Sequence, residues 1–210
     1  MAKREMVVFL HGIWMVGAEL SLLRHRVGLC GFDSRQFRYQ SLRKTPRENA
    51  AALNGFLRRL DADVIHLVGH SLGGIVILHL FHDFPEQKPG RVVMMGTPVR
   101  GSLVAEQILH SGWLRPVLGR STEQGLLGDA PRWDASRELG MIAGIKGVGV
   151  GVLLTLGKLP GPHDGTVRLV ATRTSGLADH LVVPHTHTGM LFSRAVAQAV
   201  CRFLQTGGFT

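Results

Sequence analysis

Cysteine is scarce in this sequence, which limits how the fold can be held together. The 210 residues include only two cysteines, Cys30 and Cys201, each within an apolar stretch. Neither has the spacing of a metal-binding pair, and small secreted scaffolds built on disulfides contain many more. We therefore expect two buried thiols in a reducing compartment, and hence a cytoplasmic protein.

Long hydrophobic runs are also absent. The first apolar run, Met6–Leu10, is too short for the hydrophobic region of a signal peptide. The most apolar later stretch, Val148–Leu156, is interrupted by glycines and followed by Gly157-Lys158, whereas a membrane-spanning helix needs about 20 apolar residues. We expect neither a signal peptide nor a transmembrane segment.

Acidic residues are few relative to basic ones. The chain has 24 lysines and arginines against 15 aspartates and glutamates, a formal net charge of +9. A basic surface attracts nucleic acid, anionic lipid or acidic substrates. The densest basic zone, from Arg24 to Arg47, contains neither a basic helix nor a zinc motif, so nucleic acid is not expected as a partner. An anionic membrane surface is one partner hypothesis, and a charge that serves only solubility is the alternative.

The remaining pattern is that of one α/β domain covering residues 1–210. Hydrophobic residues make up 45% of the chain, and apolar runs alternate with stretches of helical periodicity, which predicts repeated βα units and a mostly parallel sheet. The predicted strands are Met6–Leu10, Arg35–Tyr39, Val64–Val68, Arg91–Met95 and Met141–Ala143, with two shorter ones at Thr166–Ala171 and Leu181–Val183. The predicted helices are Met15–Val27, Pro46–Leu60, the stretch from Ile75, and Phe192–Leu204.

Residues 110–137 show neither periodicity. They contain scattered glycine and proline and two of the three tryptophans, Trp113 and Trp133. Long irregular insertions in α/β domains are often lids or binding loops. We expect this insertion to be one of them.

The most informative motif is Gly69-His70-Ser71-Leu72-Gly73-Gly74, which lies between a predicted strand and a predicted helix. The G-x-S-x-G pattern in this context is typical of a nucleophile elbow, in which the serine occupies a strained turn and the glycines admit neighbouring backbone. The elbow would expose the Ser71 hydroxyl and place the Leu72 N–H where it can stabilise an oxyanion. A glycine-rich turn without catalytic function is the alternative.

A serine nucleophile also needs a base and an acid, which follow the serine in this architecture in the order acid, then histidine. We favour Asp164, within Pro162-His163-Asp164-Gly165, although an Asp-Gly turn also occurs on ordinary surfaces. The competing acids Asp129 and Asp134 lie in the insertion, and Asp179 lies just before the histidine-bearing loop.

The loop Pro184-His185-Thr186-His187 offers two histidines directly before the last predicted helix. We favour His187 as the base because it lies nearer the helix, and His185 stays open as the alternative. The pair could also ligate a metal, but a structural zinc needs about four ligands and no others cluster here, so we predict none.

A second oxyanion donor is indicated where the first strand ends at His11-Gly12. The backbone N–H of Ile13 would then pair with that of Leu72. His11 itself is expected to hold the loop by hydrogen bonds. Trp14 and Met15, with the run Val148–Leu156, offer apolar walls for an acyl chain, or else only pack in the core.

Together these motifs resemble the α/β-hydrolases, specifically small bacterial-type lipases and esterases that are similar to the catalytic core of the GPI inositol-deacylases. The resemblance rests on His11-Gly12, the elbow, Gly96-Thr97-Pro98, Asp164-Gly165 and His187-Thr188-Gly189, and it covers nearly the whole chain. It implies an α/β-hydrolase fold with a triad of Ser71, Asp164 and His187, without metal or organic cofactor. Because the chain opens directly on the His-Gly strand, six or seven strands and no large cap are expected.

The sequence therefore predicts a serine hydrolase that cleaves carboxylic esters through an acyl-enzyme. A thioesterase or acyltransferase with the same triad is the nearest alternative, and a non-catalytic binding module with this fold is another. The acyl chain length, the leaving group and the oligomeric state do not follow from the sequence.

Overall fold

The computed structural model describes residues 4–134, 137–149 and 159–210. Within these residues six strands form a single sheet in the order β2-β1-β3-β4-β5-β6, and every neighbouring pair is parallel. The strands are β1 (Glu5–Leu10), β2 (Asp33–Phe37), β3 (Val64–His70), β4 (Val92–Met95), β5 (Leu139–Gly144) and β6 (Leu177–Val183). The predicted parallel α/β sheet of six or seven strands is confirmed.

Helices cover both faces of this sheet. They are α1 (Ser21–Gly28), α2 (Pro46–Arg58), α3 (Leu72–Asp83), α4 (Leu103–His110) and α5 (Arg194–Thr206). Short 3-10 turns occur at Ala18–Leu20, Arg115–Val117, Gly119–Thr122, Leu169–Thr172 and Gly189–Phe192. The start of α2 shows how local sequence sets an element: Thr45 and Glu48 form a reciprocal capping box around Pro46.

Two apolar cores lie on opposite faces of the sheet, because successive side chains of a strand point to opposite sides. In β1, Val8 and Leu10 join the core beneath α2 and α3, whereas Val7 and Phe9 join the core beneath α1 and α5. Both faces of a parallel sheet are covered in this way, which accounts for strands that are apolar on both sides. The sheet thereby holds the carboxyl ends of its strands at one common edge.

Two predicted elements differ from the structure. The helix expected from Met15 begins only at Ala18, as a 3-10 turn, because Trp14 and Gly17 adopt positive φ angles of 62° and 95° that no helix admits. The strand expected at Thr166–Ala171 is a turn instead, because the Asp164 carboxylate accepts the N–H groups of the residues that would begin the strand.

The cysteine prediction is wrong. Cys30, just beyond α1, and Cys201, within α5, form a disulfide with their Cα atoms 6.3 Å apart. The two helices pack against each other on one face of the sheet, which brings together cysteines 171 residues apart in the chain. The argument from thiols to a reducing compartment, and so to the cytoplasm, loses its basis.

No helix among the described residues is long and apolar enough to cross a membrane.

The described part of the insertion, up to residue 134, is folded onto the protein. Leu118, Leu126 and Trp133 are buried in the core beneath α2 and α3, and the Trp133 ring lies edge-on to Phe81 at 5.2 Å. This segment begins after α4 and is held by its own apolar side chains.

Candidate active site

Ser71 occupies a sharp turn between β3 and α3. Its backbone has φ 53° and ψ −119°, a conformation that is rare for a residue with a side chain and that clusters at functional sites. The turn is held by two hydrogen bonds: the Ser71 N–H donates to Met95 O at 2.9 Å, and the Thr97 hydroxyl donates to Ser71 O at 3.1 Å.

The glycines of the motif permit this turn by close approach to other backbone. A Cβ on Gly73 would lie 2.6 Å from Leu10 O and 2.8 Å from His11 O, and one on Gly69 would lie 2.8 Å from Gly74 N. Since such contacts are tighter than real Cβ atoms make, a side chain at Gly73 would push α3 away from β1, and one at Gly69 would push α3 away from β3. The geometry is that of the predicted elbow.

The structure brings Asp164 and His187 together. His187 Nδ1 lies 2.6 Å from Asp164 Oδ2, and the backbone N–H of His187 donates to Asp164 O at 2.8 Å. The other carboxylate oxygen accepts the N–H groups of Thr166 at 2.9 Å and Val167 at 2.7 Å. Asp164 is buried, so each of its oxygens has a partner that replaces water.

These contacts fix the charge of the carboxyl group. Burial acts to raise the pKa of Asp164, but attraction to His187, the hydrogen bond to its ring and the backbone N–H donors outweigh burial and leave the pKa below its ordinary value. Because a carboxylate only accepts, His187 donates from Nδ1, and its Nε2 is the nitrogen left to act as a base.

Two residues shape the surroundings of the His187 ring. Gly96, at φ 58°, makes room for it, since a Cβ there would lie 2.9 Å from the ring. The His70 ring packs against it with centroids 4.6 Å apart, and His70 Nε2 lies 3.1 Å from His187 O. Burial lowers the pKa of His70 to about 3, so this neighbour adds no positive charge beside His187 at neutral pH.

Ser71 and His187 line one cavity, but the Ser71 hydroxyl and the His187 ring form no hydrogen bond in this structure. Such contacts are often long without substrate and tighten in the reacting complex. The arrangement therefore brings a polarised imidazole to the cavity that contains the serine.

The competing candidates lie elsewhere. His185 is half-buried. Its backbone carbonyl accepts the Lys146 N–H, and its side chain does not line the cavity. The Asp179 carboxylate accepts the N–H groups of His180 and Phe209. Asp129 and Asp134 are both exposed. Within the described residues, no three His, Cys, Asp or Glu side chains group as metal ligands.

The two predicted oxyanion donors flank the elbow. Neither the Ile13 N–H nor the Leu72 N–H donates a hydrogen bond within the described part of the chain. The loop that carries Ile13 is fixed by His11, whose ring stacks on Tyr39 at 4.2 Å and whose carbonyl accepts the Tyr39 hydroxyl at 2.6 Å. His11 thus holds the loop, and two backbone donors stay available near Ser71.

The cavity has a volume of about 370 Å³ and opens beside the elbow. Its walls include Ile13, Trp14, Met15 and Val148. The Trp14 indole N–H also donates to Val117 O at 2.7 Å, which connects the loop after β1 with the insertion. Of the predicted wall Val148–Leu156, the part from residue 150 onward lies outside the described residues.

Sequence reasoning missed two residues of the site. The motif defines His70 only as a variable position, although a histidine at the buried end of the central strand indicates a polar partner near Ser71. The Thr97 hydroxyl lies in a turn at the end of a strand, where the sequence gives no sign of its role, yet a Cβ on Gly74 would be 2.1 Å from Thr97 Oγ1.

Comparison with known proteins places this geometry in a family. The profile of the alpha/beta hydrolase family matches residues 7–202. The chain belongs to this family. A search of curated proteins gave no match.

Several solved structures share the fold of this chain. A mature lipase from Bacillus licheniformis is 21% identical with a TM-score of 0.75, and the match covers 90% of this chain and 87% of the lipase. A metagenomic carboxyl esterase is 18% identical, with a TM-score of 0.67 and coverage of 89% and 65%. A phospholipase from Legionella pneumophila, in complex with thio-NAD, is 16% identical, with a TM-score of 0.76 and coverage of 97% and 59%. At these identities the likeness concerns the fold.

Proposed function

We propose that this alpha/beta hydrolase cleaves carboxylic esters with a triad of Ser71, Asp164 and His187. The observation that carries the proposal is the buried pair of Asp164 and His187, joined at 2.6 Å, which opens onto the same cavity as a serine held in a left-handed turn. A pair of this kind next to a strained serine matches the requirements for an activated nucleophile.

The reaction follows from the positions of these groups. His187 Nε2 accepts the Ser71 proton as the serine oxygen attacks the ester carbonyl, and Asp164 holds the imidazole in the required tautomer. The N–H groups of Ile13 and Leu72 stabilise the negative charge that develops on the carbonyl oxygen. His187 then returns the proton to the leaving alcohol, and water hydrolyses the acyl-enzyme by the same steps in reverse.

An uncharged acyl group fits the cavity best. Its volume of about 370 Å³ falls within the range of roughly 300–1,000 Å³ that is usual for small-molecule sites. The walls at Ile13, Trp14, Met15 and Val148 are apolar, and the other described lining residues carry hydroxyl, imidazole or backbone groups. That proteins of this fold include a lipase, a carboxyl esterase and a phospholipase supports an ester or lipid substrate.

A fluorophosphonate probe tests this proposal directly, because it labels a serine only when a base activates it. We expect labelling of the wild-type protein at Ser71, located by peptide mass spectrometry, and hydrolysis of p-nitrophenyl esters with a preference among acyl chain lengths. Acyl-thioester substrates assayed in parallel distinguish a thioesterase, and added alcohols distinguish an acyltransferase. A folded protein that neither reacts with the probe nor turns over any ester would instead be a binding module.

A further inference from the structure

Large apolar side chains are exposed around the mouth of the cavity. Five of them lie in loops on the carboxyl-terminal side of the sheet, and we call them the site rim: Trp14 (45% exposed), Val16 (63%), Val117 (41%), Val148 (64%) and Phe192 (52%). An apolar group that stays in water loses the favourable free energy of burial, so a set around one opening indicates a surface that is covered in use.

The rim residues are linked to the site and to one another. Trp14 and Val148 line the cavity itself, and Val117 accepts the indole N–H of Trp14. Phe192 follows the His187 loop, and its carbonyl accepts the Arg26 guanidinium of α1 at 2.7 Å. Trp14, Val117 and Val148 are therefore joined at the cavity, and Val16 and Phe192 follow closely in the chain after the cavity residues Met15 and Thr188.

Unpaired cations accompany the rim. Arg38 follows β2, Arg115 lies two residues before Val117, and Lys146 lies two residues before Val148; all three are exposed. None of these three forms an ion pair with a carboxylate of the described chain. We call Arg38, Arg115 and Lys146 the rim cations.

Nearby carboxylates do not offset these charges by pairing with them. Glu19 accepts the backbone N–H groups of Val16 and Gly17, and Glu48 and Glu123 both bond to Arg120.

We propose that the site rim and the rim cations dock the protein on an anionic lipid bilayer, with the cavity mouth facing the lipid. The apolar side chains would enter the interface, and the cations would contact lipid phosphates, as in peripheral proteins that combine both contributions. A lipid ester could then reach Ser71 without crossing water. This docking rests on the proposed ester hydrolysis for its purpose, but the binding itself does not require catalysis.

Binding is measured with the Ser71→Ala variant, so that turnover cannot change the lipid. Sedimentation with vesicles of phosphatidylcholine containing about 30 mol % phosphatidylglycerol is expected at low salt, with much weaker binding to pure phosphatidylcholine and loss of binding as salt screens the charges. Wild-type protein is measured alongside with non-hydrolysable ether lipids of the same headgroups.

Paired variants separate this face from general charge. Arg38→Gln with Lys146→Gln should lower the partition coefficient by about 25-fold, because each cation near an anionic surface contributes roughly fivefold. Arg58→Gln with Arg59→Gln removes the same charge at the exposed end of α2 and should change binding by no more than about twofold. Val16→Ser should weaken binding by roughly fivefold, whereas Leu29→Ser, an exposed apolar change at the far end of α1, should not.

Three outcomes would overturn the proposal: no sedimentation with anionic vesicles, equal losses for the two charge pairs, or equal losses for Val16→Ser and Leu29→Ser. Concentration-dependent dimers that Val16→Ser dissociates would assign the rim to a second copy of the chain instead. Hydrolysis of a soluble ester by the wild type tests the proposed function separately, because that reaction requires the triad but no vesicle.

Discussion

The two edges of the sheet differ in how fully their polar groups are paired within the protein. At the amino-terminal edge three cations are paired within the protein: Arg4 pairs with Asp61, Arg91 pairs with Glu138, and the Lys88 ammonium donates to two backbone carbonyls at 2.8 Å. Such contacts leave little for a ligand to complete.

The carboxyl-terminal edge leaves groups unsatisfied. The N–H groups of Ile13 and Leu72 have no acceptor within the described chain, the rim cations have no carboxylate, and Ser71 is held in a strained turn. Ligands of open α/β sheets bind outside the carboxyl ends of the strands, and here that edge has donors and charges that the described part of the chain leaves unpaired. One edge therefore contributes to stability and the other to chemistry.

The largest expected effect is at the carboxyl-terminal edge. Ser71→Ala removes one hydroxyl and should lower kcat for ester hydrolysis by about 10⁴-fold or more, because the remaining triad members cannot act without the nucleophile. The melting temperature should change little. Ester turnover near the wild-type rate by a purified alanine variant would exclude Ser71 as the nucleophile.

Next in size is the contrast between the two histidines of one loop. His187→Ala should cost about as much activity as Ser71→Ala, since triad members act as a unit, whereas His185→Ala should stay within about tenfold of wild type because its ring does not line the cavity. Asp164→Asn should lose about 10⁴-fold, as expected when the imidazole takes the wrong tautomer. Steady-state kinetics on a soluble ester decide the order, and inactivation by His185→Ala alone would reverse our assignment.

The disulfide is expected to affect stability and not activity. Cys30→Ser with Cys201→Ser should lower the free energy of unfolding by about 2–5 kcal/mol, because a cross-link over many residues restricts the unfolded chain. The kcat of the folded variant should stay near the wild-type value, since neither cysteine lines the cavity. Denaturant titrations of the oxidised, reduced and mutant proteins measure this, and the reduced wild type should match the double mutant.

The smallest expected effect is on pH. Burial lowers the pKa values of His11, His66, His70 and His79. Below about pH 6.5 the unfolded chain therefore binds more protons at these residues than the folded chain does. The stability that these residues contribute is present above the unfolded pKa of about 6.5 and is lost as the pH falls. His70, with a folded pKa of about 3, should lower the free energy of unfolding by about 2 kcal/mol between about pH 7.5 and about pH 5.

Denaturation midpoints across that range should therefore fall with acidification, and His70→Asn should show a shallower slope whatever its absolute stability. A slope equal to that of the wild type would mean that His70 takes up its proton without unfolding.

Most of the fold could be predicted from the sequence. The strands from Val64 and Arg91 are apolar runs with clear ends, so their positions were right within two residues. The parallel arrangement followed from alternating strand and helix patterns. The elbow was predictable because its glycines are local requirements of one turn, whereas the assignment of Asp164 and His187 as catalytic remains a prediction.

What failed depends on contacts that the pattern of apolar residues does not show, most of them between distant parts of the chain. Cys30 and Cys201 meet only because α1 and α5 pack together, and nothing in their neighbours along the chain signals this. The turn at Asp164 looked like a strand because its apolar residues alternate, but the carboxylate takes the N–H groups that a strand would use. His70 gained its place beside His187 from the meeting of β3 with a loop more than a hundred residues later.

The pairing of α1 with α5 also has a consequence for how the protein is made. The core on that face takes Leu23 from the first helix and Phe203 from the last helix of the described chain, so a ribosome-bound chain that ends before α5 leaves Val93 and Met95 of β4 without the helix that packs against this strand. Contacts between such remote segments form late, because the loop between them must close first. In a nascent chain, the face under α2 and α3 would therefore be covered while the face under α1 and α5 still lacks α5. Chaperone binding or hydrophobic self-association would occur first at the face that lacks α5.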